Sequence, residues 1–153
     1  PMYRGVSGLL GMKVLECGQE FIDELATLKK HFLQNKYDYY FLHYKPADSA
    51  GEDGNFKAKI KTLETLDSHI PEILDLNPDV LVLAGDHSSP SYLSSHSWHP
   101  VPFLIKSDVS QSTPDIQFNE TSFQHLGSAG SIPAEQLMLL VMAHAGKLHK
   151  FGP

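Results

Sequence analysis

The order of apolar runs in this 153-residue chain predicts an α/β fold with a mostly parallel sheet flanked by helices. Three observations carry that expectation. Short β-prone runs alternate with longer stretches of helical period. The run DVLVLA (79–84) is almost continuously apolar, as in a strand covered on both faces. The two segments richest in Asp, Glu and His follow such strands, where ligands gather in open α/β sheets.

Taken in order, MKVLE (12–16) reads as a short strand, and Phe21, Leu25, Leu28 and Phe32 recur at helical spacing over residues 19–34. The aromatic run YDYYFLHY (37–44) reads as a second strand. From Asn55 to about Asn77, Phe56, Ile60, Leu63, Leu66, Ile70, Ile73 and Leu74 keep the helix period, and Pro71 should kink or divide that helix. DVLVLA and VPFLIK (101–106) give two further strands. Residues 107–131 are polar and read mostly as loop, with one short strand around Ile116 to Phe118. Pro133 opens a final helix, with Glu135 in its first turn, Lys147 and Lys150 near its last, and Gly152 beyond. Helices of this length between strands imply right-handed βαβ crossovers.

Composition sets the outer limits. A hydrophobic content of 41% over 153 residues suits one domain, residues 1–153. The net charge is −6, and basic residues concentrate only at Lys29–Lys30 and in the series Lys57, Lys59, Lys61, which argues against a nucleic-acid surface. Cys17 is the single cysteine, so an intrachain disulfide is excluded and a reducing compartment is expected. No signal peptide is evident, and no apolar run approaches the roughly 18 residues of a membrane span. These features give a cytoplasmic expectation without a membrane partner. The start, PMYRG, is compatible with a segment of something longer.

Two loops hold most of the chemically capable groups. HYKPADSAGEDG carries Asp48, Glu52 and Asp53 with Gly51 and Gly54 between or beside them; GDHSSPSYLSSHSWHP carries Asp86, His87, His96 and His99. Ionised carboxylates and neutral imidazoles converging on one point, about 2.0 to 2.3 Å from it, are what a divalent ion requires. Plainer readings stand beside this one. Asp86–His87 also fits a cap and loop pair, and either Asp53 or Asn55 fits an N-cap before the helical run. His99, between Trp98 and Pro100, fits a packing role, while His43 and Lys45 share one face at a strand end. His31, His69, His125, His144 and His149 have no partner at ligand spacing and read as surface or core histidines.

The segments FLHYKPADSAGEDGNFKAKIKTLETLD, DVLVLAGDHSSP and HSWHPVPFLI, in that order, resemble the C-terminal half of cofactor-independent phosphoglycerate mutases of the archaeal type. PMYRGVSGLLGM and the closing AHAGKLHKFG are similar to the same family, so the likeness spans almost the whole chain. The resemblance implies an alkaline-phosphatase-like three-layer sandwich, here a partial domain. It also implies two divalent ions and a metal-activated serine that takes a phosphoryl group from one hydroxyl of phosphoglycerate and returns it to the other. By position, Asp86 and His87 would ligate one ion, and Asp48, Glu52 and His96 the other. Lys45 would stand near the phosphoryl group as a fixed cation, and Arg4 would bind substrate carboxylate or phosphate.

Two departures shape the expectation. Many family members have His where this chain has Glu52, and a carboxylate there favours Mn²⁺ or Mg²⁺ over Zn²⁺. Mn²⁺ is expected first, with Mg²⁺, Co²⁺ or Zn²⁺ as alternatives, and Glu52 need not coordinate. The family's nucleophilic serine lies upstream, and none of Ser88, Ser89, Ser91, Ser94 or Ser95 matches its position. The isolated chain is therefore expected to be inactive, with the missing N-terminal segment as its partner. Self-association is a further expectation if a truncated sheet leaves an edge or apolar face uncovered. Two alternatives remain open: another metal-dependent phosphohydrolase of the superfamily, or a metal-binding fragment without turnover.

Overall fold

A computed structural model of the chain describes residues 2–110 and 117–148. It divides into two compact units, residues 1–45 and 46–153. The α/β class is as expected, with six α-helices and two strands among the described residues.

The first unit holds α1 (Met2–Leu9) and α2 (Phe21–Leu33). The period of Phe21, Leu25, Leu28 and Phe32 does form one face of α2, and Leu25 on it is 1% exposed. The aromatic run packs there, Tyr44 edge-on to Phe21 with ring centroids 4.9 Å apart and Tyr40 5.7 Å from Phe32. The Tyr40 hydroxyl donates to the His31 carbonyl at 2.9 Å, fixing the run against the helix. Asp23, three residues past the N-cap Glu20, accepts the Glu20 N–H at 3.3 Å. The strands expected at 12–16 and 37–44 do not form. A strand exists only through a ladder with a neighbour, and neither segment has one among the described residues.

The second unit starts with α3 (Pro46–Glu52), where loop was expected. Pro46 occupies the first helical position, whose missing N–H costs nothing there. The helix stops in a Schellman motif: the Gly54 N–H bonds to the Gly51 carbonyl at 3.0 Å and the Asn55 N–H to the Ala50 carbonyl at 2.9 Å. Gly54, at φ 67°, supplies the left-handed residue that this motif requires. Asn55 then caps α4 (Phe56–Leu74), its side chain accepting the Ala58 N–H at 3.0 Å. Of the two candidate caps, Asn55 is the one used. Pro71 does not divide α4; it stands one turn from the end, where its missing donor removes a single bond of the ladder.

Strands β1 (Val80–Ala84) and β2 (Phe103–Ser107) pair antiparallel, Val80 opposite Ser107 and Ala84 opposite Phe103. This corrects the expected parallel arrangement: the sheet of the described residues is this two-stranded antiparallel pair. The reason lies in the connection. Parallel neighbours need a crossover, usually a helix, but residues 85–102 contain no helix and return directly to β1.

Helix α5 (Glu120–Leu126) occupies part of the polar stretch read as loop. Asn119 caps it by accepting the Ser122 N–H at 2.8 Å, and Phe118 meets Phe123 edge-on at 5.0 Å as a hydrophobic staple. The short strand expected at Ile116 to Phe118 is absent at Gln117 and Phe118, and Ile116 lies outside the described residues. The final helix begins as a 3₁₀ turn (Ala134–Gln136) and continues as α6 (Leu137–His144), which packs on β1. It ends earlier than expected. Gly146, at φ 64°, closes it through the bonds Gly146 to Ala143 and Lys147 to Met142. Lys150 and Gly152, the expected end, lie outside the described residues.

Among the described residues of the second unit, the buried ones are Ala50, Gly51, Ile73 and Ser89. Gly51 and Ser89 meet directly. A Cβ on Gly51 would overlap the Ser89 carbonyl oxygen and lie 2.9 Å from the Ser89 hydroxyl and 3.0 Å from Lys59 Nζ. Lys59, on α4, donates to the Ser89 carbonyl and to its hydroxyl at 3.2 Å. Gly51→Val should destabilise the chain by about 1–3 kcal/mol through overpacking, measured by urea unfolding. Asn55→Ala should cost about 1 kcal/mol in the same measurement, through loss of the α4 cap.

Candidate metal centre

Asp48 lies in the first turn of α3 and Glu52 four residues on, so both carboxylates rise from one face of the helix. The opposing wall is the excursion between β1 and β2. An isolated antiparallel bridge between Ser88 and Ser97 pinches it shut, the Ser97 N–H bonding to the Ser88 carbonyl at 2.9 Å. His87 and His96 each precede a bridged residue. Alternation along the two backbones puts them diagonally on one face of the bridge, and their ring centroids are 3.9 Å apart.

The close approach at Gly51 holds α3 against this excursion. Gly54 repeats it one turn later, where a Cβ would overlap the Ser94 hydroxyl. The consequence is convergence. Asp48 Oδ1 stands 3.8 Å from His87 Nδ1 and 3.6 Å from His96 Nε2, and Glu52 Oε1 3.2 Å from His96 Nε2. Ligand atoms about 2.1 Å from a shared ion lie roughly 3–3.5 Å from one another. The donor atoms of Asp48, His87 and His96, all within 4.8 Å of one another, approach that spacing.

The donors also fit an ion chemically. His87 Nδ1 is buried and has no hydrogen-bond partner, which is costly for a ring nitrogen unless something else satisfies it. A cation shared with Asp48 and His96 would do so. The set of one carboxylate and two imidazoles suits a divalent ion. Burial is uneven: the Asp48 side chain is 15% exposed and that of His96 52%, so one side is closed by protein and the other is open to an external ligand.

Both expected sets, Asp86 with His87 and Asp48 with Glu52 and His96, lie close together, and His87 also approaches the second set. His87 joins Asp48 and His96 through Nδ1, and its Nε2 faces Asp86 Oδ2 at 3.6 Å. His87 therefore stands between the two acidic groups. The other Asp86 oxygen accepts the His87 backbone N–H at 3.0 Å, the loop pairing that also fitted Asp86 and His87.

Lys45 is exposed and is the last residue of the first unit; Arg4 also belongs to that unit. Arg4 donates to Cys17 Sγ at 3.4 Å. Burial raises the Glu24 carboxyl above its usual range while the Arg4 charge pulls it down, so Arg4 already answers to a protein carboxylate.

Of the remaining histidines, three pair with side-chain oxygens, while among the described residues His31 Nδ1 is buried without a hydrogen-bond partner but has no carboxylate or second imidazole in a ligand group with it. His99 Nδ1 meets Ser97 Oγ at 2.8 Å beneath Trp98, His144 Nδ1 meets Ser107 Oγ at 2.8 Å, and His69 Nδ1 meets Glu72 at 3.0 Å. His43 lies against Tyr3 with centroids 3.9 Å apart, and His31 beside Tyr37 at 6.1 Å. His125 is in the last turn of α5, and His149 lies outside the described residues.

Sequence reasoning missed the close approach of Gly51 to Ser89 and of Gly54 to Ser94. The available signal was a glycine three residues after Asp48, at helical spacing from it.

Asp48→Ala or His96→Ala should each weaken Mn²⁺ binding by more than about tenfold, since loss of a group merely supporting a ligand already costs that much. Titration followed by emission of Trp98, the single tryptophan, reads the effect. His125→Ala should bind as the parent does. Glu52→His should shift preference toward Zn²⁺ in a competition measured by elemental analysis; unchanged preference would exclude Glu52 as a ligand.

Among known proteins, the chain is 50% identical over 152 residues to a probable 2,3-bisphosphoglycerate-independent phosphoglycerate mutase of Thermotoga petrophila, and 46% identical over 153 residues to one of Aquifex aeolicus. In both cases the match covers 99% of this chain and 37% of the relative, so the chain spans little more than a third of the length of these curated relatives. The solved structure of PH0037 protein from Pyrococcus horikoshii superposes with a TM-score of 0.87 at 32% identity, covering 97% of this chain and 47% of that one. The metalloenzyme superfamily model matches residues 6–144, which bear every donor of the cluster, and the chain belongs to that superfamily.

Proposed function

We propose that this chain is the C-terminal portion of a metal-dependent, 2,3-bisphosphoglycerate-independent phosphoglycerate mutase, one that interconverts 3-phosphoglycerate and 2-phosphoglycerate in the cytoplasm. The observation that carries the reading is the convergence of Asp48, His87 and His96 around a buried, unsatisfied imidazole nitrogen. The names of the relatives at 46–50% identity supply the substrate class.

In this reading Asp48, His87 and His96 hold a divalent ion, and Glu52 and Asp86 extend the set toward a second. Bound ions of this kind offset charge on phosphoryl oxygens and favour the alkoxide form of a nearby serine. Mn²⁺ is the first expectation for a set rich in carboxylates, followed by Mg²⁺. Lys45 offers a fixed positive charge to the transferring group. Arg4 binds the carboxylate or phosphate of the substrate, in competition with Glu24. The nucleophilic serine comes from the part of the protein outside these 153 residues, so the phosphoserine forms there and the isolated chain turns nothing over.

A second reading, hydrolysis by a phosphatase of the same superfamily, has one feature in its favour. The matched model describes the superfamily as a whole, and the same donors serve transfer to water.

Joining this chain to the portion of the Thermotoga petrophila relative that lies outside the match gives the test. Conversion of 3-phosphoglycerate to 2-phosphoglycerate, abolished by EDTA and restored by Mn²⁺, is expected. Release of inorganic phosphate without 2-phosphoglycerate would establish the hydrolase instead. Turnover by the isolated 153-residue chain would remove the shared-site mechanism.

A further inference from the structure

Three lysines stand at alternate positions near the start of α4 and meet different surroundings: Lys57 and Lys61 are exposed, whereas Lys59 is half-buried. A lysine drawn out of water is normally met by a carboxylate. Lys59 has no ion pair among the described residues. Its ammonium donates instead to the carbonyl of Ser89 and, at 3.2 Å, to the Ser89 hydroxyl.

The place of that bond matters more than its bare existence. Ser89 is 6% exposed and follows directly on Ser88, whose bridge to Ser97 sets the rings of His87 and His96 side by side. The same ammonium lies against α3, 3.0 Å from the point where a Cβ on Gly51 would stand, and Gly51 lies between Asp48 and Glu52. One side chain of α4 therefore touches both walls of the metal centre. Hydrogen bonds from a charged donor are about twice as strong as neutral ones, so Lys59 fixes the Ser89 peptide, and with it His87, relative to Asp48. The distance at stake is the 3.8 Å between Asp48 Oδ1 and His87 Nδ1. Donor groups must be held within about 0.5 Å of the productive geometry for an ion to gain from them.

Charge alone gives the opposite expectation. A fixed cation beside a site for a cation repels it. Lysine at this place favours a bound ion only through geometry, and the two effects have opposite signs when the side chain is removed.

We propose that Lys59 is a positioning residue of the metal centre, one that raises its affinity for a divalent ion by fixing His87 through Ser89. The inference rests on the reading above, in which Asp48, His87 and His96 hold such an ion.

Mn²⁺ titration of the 153-residue chain, followed by Trp98 emission, gives the test. Lys59→Met loses the donors together with the charge and should bind about tenfold more weakly, the cost of losing a group that supports a ligand. Lys59→Arg keeps the donors and should stay within about threefold of the parent. Lys61→Met, which removes an exposed charge from the same helix, should bind as the parent does. In the metal-free chain the Ser97 amide, which donates to the Ser88 carbonyl at 2.9 Å, should exchange its hydrogen about tenfold faster in Lys59→Met.

Urea unfolding separates this role from a merely structural one: lowered stability of Lys59→Met with unchanged Mn²⁺ affinity would overturn the proposal. Tighter binding by Lys59→Met would overturn it as well, because charge would then outweigh position. So would Lys59→Arg binding as weakly as Lys59→Met. Absence of Mn²⁺ binding in the parent chain would remove the metal centre itself, whereas equal binding by the parent and Lys59→Met would remove only the role of Lys59.

Discussion

The backbone of Gly51 runs against the carbonyl of Ser89 with no volume between them for a Cβ, and the candidate metal centre depends on that contact. Asp48 and Glu52 face the histidine-bearing excursion only because α3 can come this near. Lys59 reinforces the point from α4 by donating to both oxygens of Ser89. One buried contact therefore ties together two helices and the loop they serve. The polar groups are satisfied at the same place, as burial demands.

Local rules prepare that contact. Pro46 starts α3, Gly54 stops it, and Asn55 is at once the residue after its left-handed cap and the N-cap of α4. The helix is only seven residues long, so its direction is fixed at both ends by these signals more than by its own propensity. Across from it, the Ser88–Ser97 bridge closes an excursion that would otherwise be a long irregular loop. The bridge brings together His87 and His96, nine positions apart. With both walls held, carboxylates and imidazoles meet without a long flexible arm, which keeps the ordering cost of an ion low.

The two units differ in how completely they use their apolar sequence. In the second, β1 finds β2, and α6 packs on β1. In the first, Leu25 is buried and the aromatic run is laid on α2, yet Tyr39, Phe41 and Val14 remain exposed. Strand-forming residues without a ladder partner stay as irregular backbone, because β structure, unlike a helix, cannot close its hydrogen bonds within one segment. A chain spanning 37% of its relatives' length has this property where its sequence is most β-prone.

Much was legible in the 153 residues. The period of Phe21 to Phe32 and of Phe56 to Leu74 determined α2 and α4, since a helix is written in local spacing and closes its bonds locally. DVLVLA and VPFLIK were strands by composition, and the acidic and imidazole residues of the two loops stood out by type and order as candidate ligands. Even Asn119 between two phenylalanines was a readable cap and staple, passed over because its surroundings were polar.

Tertiary structure decided the rest. It decided that β1 and β2 run antiparallel, because direction depends on the path of the connection and not on either strand. It decided that His87 stands with Asp48 and His96 while also facing Asp86, because a ring has two nitrogens and sequence does not say where each one points. It gave Gly51 its role, which lies in a neighbour 38 residues away. Pairing, orientation and close approach are relations between distant segments, and spacing along one chain does not contain them.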